Sequence, residues 1–432
     1  MFRALSVRNY RLYFTGQVLS NTGTWMQRVA QDWLVLTLSG GSGVALGITT
    51  GLQFLPYLFF ALWGGTLADR ISRRRLLMWT QGLMGLLALA LGVVAITGHA
   101  TVALVYLFAF LLGCVSAVDN PARQAFVNEI VGPASLHNAI ALNSASFNLA
   151  RLVGPALAGV LVAAVGSGWV FLLNAASYAV TIVALVLMRT SELRRKEMQS
   201  GQVKLVQGLR YLRRHRDLVM VLFLVFGVGT FGLNYQITMA LMANQQFDVG
   251  AAGFGIMSTA LALGALVGSL LAARRGRSTM RLVAGAALVF GAVEIVVGLS
   301  PTYVVMLAVL PFAGVCALTF TTAAQSYLQS NADGWVRGRV LGIYTLVFFG
   351  GTPLGAPVIG WAAEQFGPRS GLIGGGVATV LWTVAALLLL RRQRRHPVDD
   401  VDETDATTAP VADAGASRAD GVPALAATDA TD

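Results

Sequence analysis

The sequence predicts an all-α membrane protein with about twelve transmembrane helices, arranged as two six-helix halves. Three observations support this fold class: the composition, the spacing of the apolar runs and an internal repeat. Hydrophobic residues make up 56% of the chain and charged residues only 12%, whereas a soluble domain is about one quarter charged. The apolar runs are about 20 residues long, which is enough to cross a hydrocarbon core of about 30 Å as a helix.

The basic residues lie at the ends of these runs and indicate their orientation. The formal net charge is +11, but the arginines form no single patch, so the charge does not indicate a nucleic-acid partner. Basic loops stay in the cytoplasm, and we therefore expect a multi-pass protein of the inner membrane with both termini cytoplasmic. Most Lys and Arg residues fall in the termini and near 70–75, 189–216, 274–281 and 337–339, while 38–43, 98–101 and 300–303 contain none.

The predicted helices follow the apolar runs. Helix 1 covers Tyr10–Leu38 and is unusually polar, so it should face the bundle interior or a water-filled cavity. Helices 2 and 3 cover about 52–68 and 76–96 and flank a charged loop. The other helices are predicted at Thr101–Val118, Ala139–Val165 and Gly168–Met188, and near 217–242, 250–273, 280–299, 302–328, 339–366 and 370–390.

These helices divide the chain into four parts. Residues 1–188 form the first half and residues 217–391 form the second half. The basic linker, 189–216, has apolar residues at helical spacing, which predicts an amphipathic helix on the membrane surface. The tail, 392–432, is rich in Ala, Asp and Thr and should be disordered. The apolar residues of the linker are Val203, Val206, Leu209 and Leu212.

An internal repeat relates the two halves. The segment Gly154–Gly159 (GPALAG) matches Gly355–Gly360 (GAPVIG) at an offset of 355 − 154 = 201 residues. The same offset pairs Gln124 with Gln325. A parallel duplication of six-helix units places the substrate site between the halves, near the midplane of the membrane.

The sequence contains no pattern for a cofactor, a metal ion or direct ATP drive. Cys114 and Cys316 both lie inside apolar runs, so they indicate neither a disulfide framework nor a metal site. No G-x-x-x-x-G-K-[ST] loop is present, and no nucleophile–base pair is evident at membrane depth. We therefore expect neither an enzyme nor an ATP-driven pump.

The loop between predicted helices 2 and 3 reads G-x-x-x-D-R-x-x-R-R from Gly65 to Arg74. Cytoplasmic retention of basic residues would by itself explain its arginines. The pattern also resembles the corresponding loop of the major facilitator superfamily, although Ser72 stands where that family usually has Gly. The resemblance implies that Gly65 allows close helix approach and that a cytoplasmic gate is latched by Asp69, Arg70, Arg73 and Arg74. Asp119 and Arg123, at the predicted cytoplasmic end of helix 4, are expected to join that gate.

Helix 5 carries a second motif, formed by Gly154, Pro155 and Gly159, which predicts a kink and close packing of a neighbouring helix. Ordinary bundle packing would explain these residues. The pattern G-P-x-x-x-G on helix 5 also resembles the motif of facilitator antiporters, which export drugs and metabolites. Further segments resemble the bacterial branch that includes the enterobactin exporter and several macrolide and multidrug exporters. These segments are 119–126, 138–144 and 148–155.

Four charged residues at membrane depth are candidates for chemistry. Arg28 and Asp32 lie four residues apart on one face of helix 1. They either neutralise each other or let Asp32 carry a proton, because burial favours the protonated carboxyl and Arg28 favours the ionised one. Glu294 is either a second proton site or an acid hydrogen-bonded between helices. Arg151 lies about 18 Å into helix 5 and must meet an acid, water or an anionic substrate.

Together these patterns predict proton-driven export of a small, fairly apolar molecule, such as a drug, an antibiotic or a siderophore, by alternating access. We predict that the substrate cavity is lined by Arg151, Gln27, Asn148 and Trp25. The expected partners are the substrate, protons and the lipid bilayer, and the protein is expected to be monomeric. An importer or uniporter on the same fold, or a lipid-handling membrane protein, remains an alternative.

Overall fold

Helices account for nearly all of the structure. The computed structural model describes residues 3–194, 205–275 and 278–395, and within these ranges the side chains of 61–70, 134, 205–206 and 392–395 fall outside the description. Fourteen α-helices and no strand occur in the described part of the chain. The predictions for the tail beyond Arg395 and for Val203 concern residues outside this description, as does the prediction for the side chain of Val206.

Six long helices form the N-terminal half. Helix 4 was predicted to end at Val118, and this was wrong, because the helix continues through Pro121 to Val131. A proline inside a membrane helix is tolerated when neighbouring groups satisfy the freed carbonyl. Gly132, with a φ of 66°, then ends the helix. The six helices are α1 (Arg8–Leu38), α2 (Gly43–Arg70), α3 (Arg73–Ile96), α4 (Val102–Val131), α5 (Pro133–Val165) and α6 (Ser167–Val186).

A short helix, α7 (Leu205–Arg214), precedes the C-terminal half. It buries Leu212 but leaves 52% of Leu209 exposed. The first span of the C-terminal half was predicted as one helix, but it is interrupted by a π-turn at Val228–Gly232. The helices of this half are α8 (Arg216–Gly227), α9 (Tyr235–Leu241), α10 (Gly250–Ala273), α11 (Met280–Gly298), α12 (Tyr303–Asn331), α13 (Arg337–Phe366) and α14 (Pro368–Arg395).

The bundle has the dimensions and surface of a membrane protein. Eleven helical spans in the described ranges are long and apolar enough to cross a bilayer. α1 adds a twelfth span of 31 residues, and it buries the polar side chains of Gln17, Gln27 and Asp32 as its polarity predicted. Large apolar side chains face outward instead, including Trp79, which is 78% exposed. Such a surface suits lipid, and the predicted fold class is confirmed.

The two halves meet through paired glycine contacts. A Cβ on Gly43 of α2 would lie 2.3 Å from the carbonyl oxygen of Gly360 on α13. A Cβ on Gly159 of α5 would lie 2.8 Å from the carbonyl oxygen of Ala251 on α10. Glycine is therefore required for these helices to approach backbone to backbone. Because α5 and α13 are repeat counterparts, the internal repeat is also visible in the packing.

Hydrogen bonds tie the halves together at one end of the bundle. We call the end with residues 39–42 the Arg-poor end and the end with residues 71–75 the Arg-rich end. At the Arg-poor end, Glu364 Oε2 accepts hydrogen bonds from Ser42 Oγ at 2.6 Å and from the Val44 N–H at 3.0 Å. Gln245 Nε2 donates to the Gly41 carbonyl oxygen at 2.6 Å. These contacts join the N-terminal and C-terminal halves at this end.

Candidate functional site

A cavity of about 790 Å³ lies between the two halves. This volume falls within the range of small-molecule sites, about 300–1,000 Å³. Its lining runs from Asp32 of α1 towards Gln124 of α4 and Gly342 of α13, which lie nearer the Arg-rich end. Aromatic side chains form much of the wall, and Phe349 stacks on Phe54 with ring centroids 5.7 Å apart. The cavity is thus bounded by both halves and combines aromatic faces with a few charged groups.

Two arginines share one tryptophan in this cavity. The guanidinium carbon of Arg28 lies 5.0 Å from the Trp25 ring centroid, and that of Arg151 lies 5.7 Å from it. Both distances suit cation–π interactions. No described carboxylate lies within 4 Å of either guanidinium, so the Arg28–Asp32 ion pair, one of the two alternatives for these residues, is not formed. Trp25, Arg28 and Arg151 all line the cavity, so the two arginines bring N–H donors to its wall.

Asp32 lies where α1 meets the other half. It is 3% exposed, and its carboxyl interacts with the side chain of Gln236 on α9. Gln236 Nε2 makes no well-formed hydrogen bond with any described group, so the contact is loose. The positive charge of Arg28 influences the Asp32 carboxyl at a distance, without a direct hydrogen bond. Asp32 is therefore a nearly buried acid at the inter-half contact, on the wall of the cavity.

Two residues predicted to line the cavity do not. Gln27 is buried, and its Oε1 accepts a hydrogen bond from Asn174 Nδ2 of α6. Asn148 donates to the carbonyl oxygen of Ser144 in its own helix at 2.9 Å. Both are absent from the cavity lining. For Gln27 the prediction failed because helix 1 is polar around most of its circumference, so polarity alone did not identify the side that faces the cavity.

Asp119 and Arg123 form a buried network inside the N-terminal half. Asp119 pairs with Arg123 at 2.5 Å and accepts hydrogen bonds from Thr80 Oγ1 at 2.6 Å and Gln81 Nε2 at 2.9 Å. Arg123 also donates to Gln17 Oε1 of α1. Both residues were placed at the cytoplasmic end of helix 4, which is wrong, because α4 continues for 12 residues beyond Asp119. The network links α1, α3 and α4 at the side of the cavity.

The predicted gate loop is only partly described. Gly65, Asp69 and Arg70 belong to α2, but their side chains lie outside the described residues. Arg73 NH1 pairs with Glu129 of α4 at 2.7 Å. Arg74 Nε donates to the Leu185 carbonyl oxygen at 2.7 Å, which satisfies the C-terminal end of α6. These described contacts lie within the N-terminal half, and the gate role stays a prediction.

The helix-5 motif holds α5 against two different partners. A Cβ on Gly154 would lie 2.7 Å from the Trp25 Cβ, so this glycine brings α5 onto α1 beneath the arginine pair. Gly159 brings α5 onto α10 of the other half, as described above. Pro155 lies within the unbroken α5, and its carbonyl oxygen faces Gly255 of α10. The motif therefore packs at the junction of the halves, and the predicted kink stays a prediction.

Glu294 lies in α11, away from the cavity lining. It is 2% exposed, and its Oε2 has no hydrogen-bond partner among the described residues. The groups around it include Gly232 at the break in the seventh span and Gly375 of α14. The alternative of an acid hydrogen-bonded between helices is therefore not supported at Oε2, and Glu294 and Asp32 lie in separate surroundings.

Sequence reasoning missed two features of the site. Asn120 Nδ2 donates to Tyr57 OH at 2.7 Å and thereby joins α4 to α2 beside the cavity. The break between α8 and α9 was also missed, although glycines interrupt the apolar run at Gly227, Gly229 and Gly232. Glycine-interrupted spans point to binding sites in transporters, so this signal was available in the sequence.

Comparison with known proteins identifies the family and the fold. The profile of a family described as "Transmembrane secretion effector" matches residues 1–421. The staphyloferrin A transporter of Staphylococcus aureus is 24% identical over 385 residues, covering 88% of this chain and 96% of that protein. The enterobactin exporter EntS of Shigella boydii serotype 4 is 24% identical over 369 residues, covering 84% and 85%.

Solved structures share the architecture. The nucleoside transporter NupG superposes with a TM-score of 0.70 at 11% identity, covering 89% of this chain and 99% of that one. A bacterial homolog of the human lysosomal transporter Spinster, in an inward-facing and unoccupied conformation, gives a TM-score of 0.65 at 17% identity, covering 90% and 97%. At such identities the likeness concerns the fold alone.

Proposed function

Because the chain belongs to the transmembrane secretion effector family of major facilitator transporters, we propose that it exports a siderophore-type molecule in exchange for protons. That it is a small-molecule transporter and not an enzyme follows from the family and its relatives. The direction, the coupling ion and the cargo are the proposal. Two relatives named for siderophores, staphyloferrin A and enterobactin, support the cargo class.

The position of Asp32 is the observation on which the coupling depends. A carboxylate in a nearly dry contact is destabilised as an anion and favours a proton. Opening the contact with Gln236 would expose Asp32 to water and restore the ionised form. Asp32 therefore exchanges its proton as the two halves rock, and a cargo that donates a hydrogen bond to the carboxylate competes with that proton.

The residues that line the cavity also indicate which chemical groups the cargo carries. Arg28 and Arg151 have no acid partner among the described residues, so they supply N–H donors for carbonyl, carboxylate or phenolic oxygens. The aromatic wall at Phe54 and Phe349 supplies stacking surface. A molecule with oxygen acceptors, hydroxyl or amide donors and an apolar body fits all three features. This refines the fairly apolar cargo predicted from the sequence.

The proposal also covers the orientation in the membrane, the oligomeric state and the cytoplasmic gate. Loops rich in Arg and Lys lie at one end of the bundle, so both termini are proposed to be cytoplasmic, with the protein in the inner membrane. One copy contains the whole cavity, which favours a monomer. Asp69, with Arg70, Arg73 and Arg74, is proposed to latch the cytoplasmic side when the Arg-poor end opens. The Asp119–Arg123 pair is proposed to brace α4 during that change.

The test is a proton-flux measurement with full-length protein in liposomes under an imposed pH gradient. Lumenal pH is followed by a fluorescent dye while staphyloferrin A or enterobactin is added. We expect cargo-dependent proton movement in the native protein and in Asp217→Asn, a control outside the cavity lining, whose Oδ2 accepts a hydrogen bond from Tyr327 OH. Asp32→Asn should reduce that movement to the level of empty liposomes.

Other outcomes would contradict parts of the proposal. Proton movement that survives in Asp32→Asn would remove Asp32 as the carrier. Cargo movement without protons would leave a transporter but exclude proton antiport. Accumulation of cargo by whole cells, in place of its exclusion, would reverse the direction to import.

A further inference from the structure

The break between α8 and α9 is surrounded by buried polar atoms without partners. Leu233 and Asn234 lie between the π-turn and α9 and are not helical. Five side-chain atoms near this break have no hydrogen-bond partner among the residues the structure describes. These atoms are Asn234 Oδ1, Tyr235 OH, Gln236 Nε2, Glu294 Oε2 and Thr379 Oγ1. Buried polar groups are normally satisfied, so such a concentration points to a bound species or a functional strain.

The π-turn and α14 both approach the carboxylate of Glu294 on α11. A Cβ on Gly232 would lie 2.8 Å from Thr379 Oγ1 and 3.1 Å from Glu294 Oε2. A Cβ on Gly375 would lie 2.6 Å from the Phe231 carbonyl oxygen and 3.1 Å from Glu294 Oε1. The carboxylate of Glu294 therefore sits between two glycines, close to the hydroxyl oxygen of Thr379 and the main-chain carbonyl oxygen of Phe231. Any larger residue at either glycine would collide with these oxygens.

The arrangement suits a small, hard cation. The converging atoms are all oxygens: the Glu294 carboxylate, the Thr379 hydroxyl and the main-chain carbonyl of Phe231 beside the helix break. Thr379 Oγ1 makes no hydrogen bond to Glu294 Oε2, although both approach the same point above Gly232. No described Arg or Lys lies within 4 Å of Glu294, so an ionised carboxylate there would be uncompensated and costly. Carbonyls of interrupted helices are known ligands for Na⁺ in transporters.

We propose that Glu294, Thr379 and the Phe231 carbonyl bind a monovalent cation, Na⁺, at the break in the seventh span. A single carboxylate balances one positive charge, which favours Na⁺ over a divalent ion. The site is separate from Asp32 and from the cavity lining, and it goes beyond the proposed proton exchange. Because its ligands come from the π-turn, α11 and α14, a bound Na⁺ would hold these elements together.

The test measures thermal unfolding of the purified full-length protein in detergent. Sodium chloride is compared with potassium chloride and choline chloride at equal ionic strength. Binding to the native state raises its stability, so we expect the unfolding midpoint to rise by a few degrees in Na⁺ alone. Glu294→Gln and Thr379→Val should each abolish the rise. Two variants should retain it: Asp32→Asn, in the other half, and Thr383→Val, whose hydroxyl already donates to the Thr379 carbonyl oxygen.

Each other outcome would overturn the proposal. An equal rise in potassium or choline chloride would indicate a salt effect without a specific site. A Na⁺ effect that persists in both Glu294→Gln and Thr379→Val would place the site elsewhere. A response to pH that is lost in Glu294→Gln, with no response to Na⁺, would identify a proton as the occupant; the titratable neighbours to control are Tyr235 and Cys316. If Glu294→Gln does not fold, Thr379→Val and Thr383→Val still form a matched pair.

Discussion

The two halves share their helix packing but differ in how they accommodate polar groups. α1 is one unbroken helix of 31 residues whose charged groups reach the cavity. Its counterpart is the span Arg216–Gln246, which is more apolar. In its most apolar stretch 72% of the residues are buried, yet its helix is interrupted. The N-terminal half exposes charge to a shared cavity, whereas the C-terminal half encloses one acid behind a helix break.

The repeat therefore conserves contacts more strictly than chemistry. Gly154 and Gly355 both bring the fifth helix of their half against the first span of that half. By contrast, the offset of 201 residues aligns Phe320 with Asp119, since 119 + 201 = 320. It aligns Ala324 with Arg123 in the same way. Phe320 and Ala324 are both fully buried. Packing glycines are needed in both halves for the same geometric reason, whereas the Asp119–Arg123 pair has no charged counterpart at the matching positions of the second half.

The largest effect is expected from breaking the shared packing in the C-terminal half. A Cβ at Gly355 would lie 1.6 Å from the Thr230 carbonyl oxygen, whereas one at Gly154 meets first the side-chain Cβ of Trp25 at 2.7 Å. Both contacts are fixed to backbone, but the one at Gly355 is shorter by 2.7 − 1.6 = 1.1 Å, so the helices must separate further there. Gly355→Ala should destabilise the protein by about 3 kcal/mol, and Gly154→Ala by about 1 kcal/mol. Thermal unfolding in detergent measures both, and equal shifts would show that the two halves tolerate crowding alike.

The second prediction concerns the charge pair that only the N-terminal half contains. Asp119→Ala leaves Arg123 without its carboxylate and should cost about 3 kcal/mol. Adding Arg123→Ala should recover much of this loss, because the C-terminal half packs Phe320 and Ala324 at the same positions without charge. Thermal unfolding of the single and double variants tests this. A double variant as unstable as the single one would mean that the pair also supports the fold in another way.

The third prediction compares two counterparts that both line the cavity. The offset aligns Thr352 with Arg151, since 151 + 201 = 352, and both residues line the cavity. Arg151→Gln should weaken cargo binding about tenfold, equivalent to about 1.4 kcal/mol, because it removes a charged donor. Thr352→Val should change affinity by less than about twofold. Equilibrium titration of tryptophan fluorescence with enterobactin measures both, and equal losses would show that the cavity binds its cargo symmetrically.

The smallest effect is expected at the Arg-poor end. Glu364→Gln weakens the acceptor for Ser42 and Val44, and an exposed hydrogen bond of this kind contributes about 0.5–1 kcal/mol. The Arg-poor end should open more often. With the two native cysteines replaced, a cysteine at Thr50 should then react about twofold faster with an impermeant maleimide. The matched control, Glu129→Gln at the Arg-rich end, should not accelerate this labelling. If both variants label faster, Glu364 has no specific role in closing the Arg-poor end.

Much of the architecture could be predicted from the sequence, and the failures have local causes. The spans, the polar interior face of α1 and the repeat were predicted because each depends on composition or spacing along the chain. The extension of α4 to Val131 was missed because Pro121 reads as a helix end when its neighbours are unknown. Gln27 and Asn148 were misplaced because the cavity-facing side of a helix depends on partners far away in the sequence.

What the sequence by itself determined is which segments enter the membrane, since insertion depends on hydrophobicity summed over about 20 consecutive residues. Only the tertiary structure decided how the charges within those segments are used. Arg28 lies over Trp25 instead of pairing with Asp32, and α5 brings Arg151 to the same ring. Glu294 is enclosed because Gly232 and Gly375 approach it from distant parts of the chain. Such contacts join residues far apart in sequence, so local patterns do not determine them.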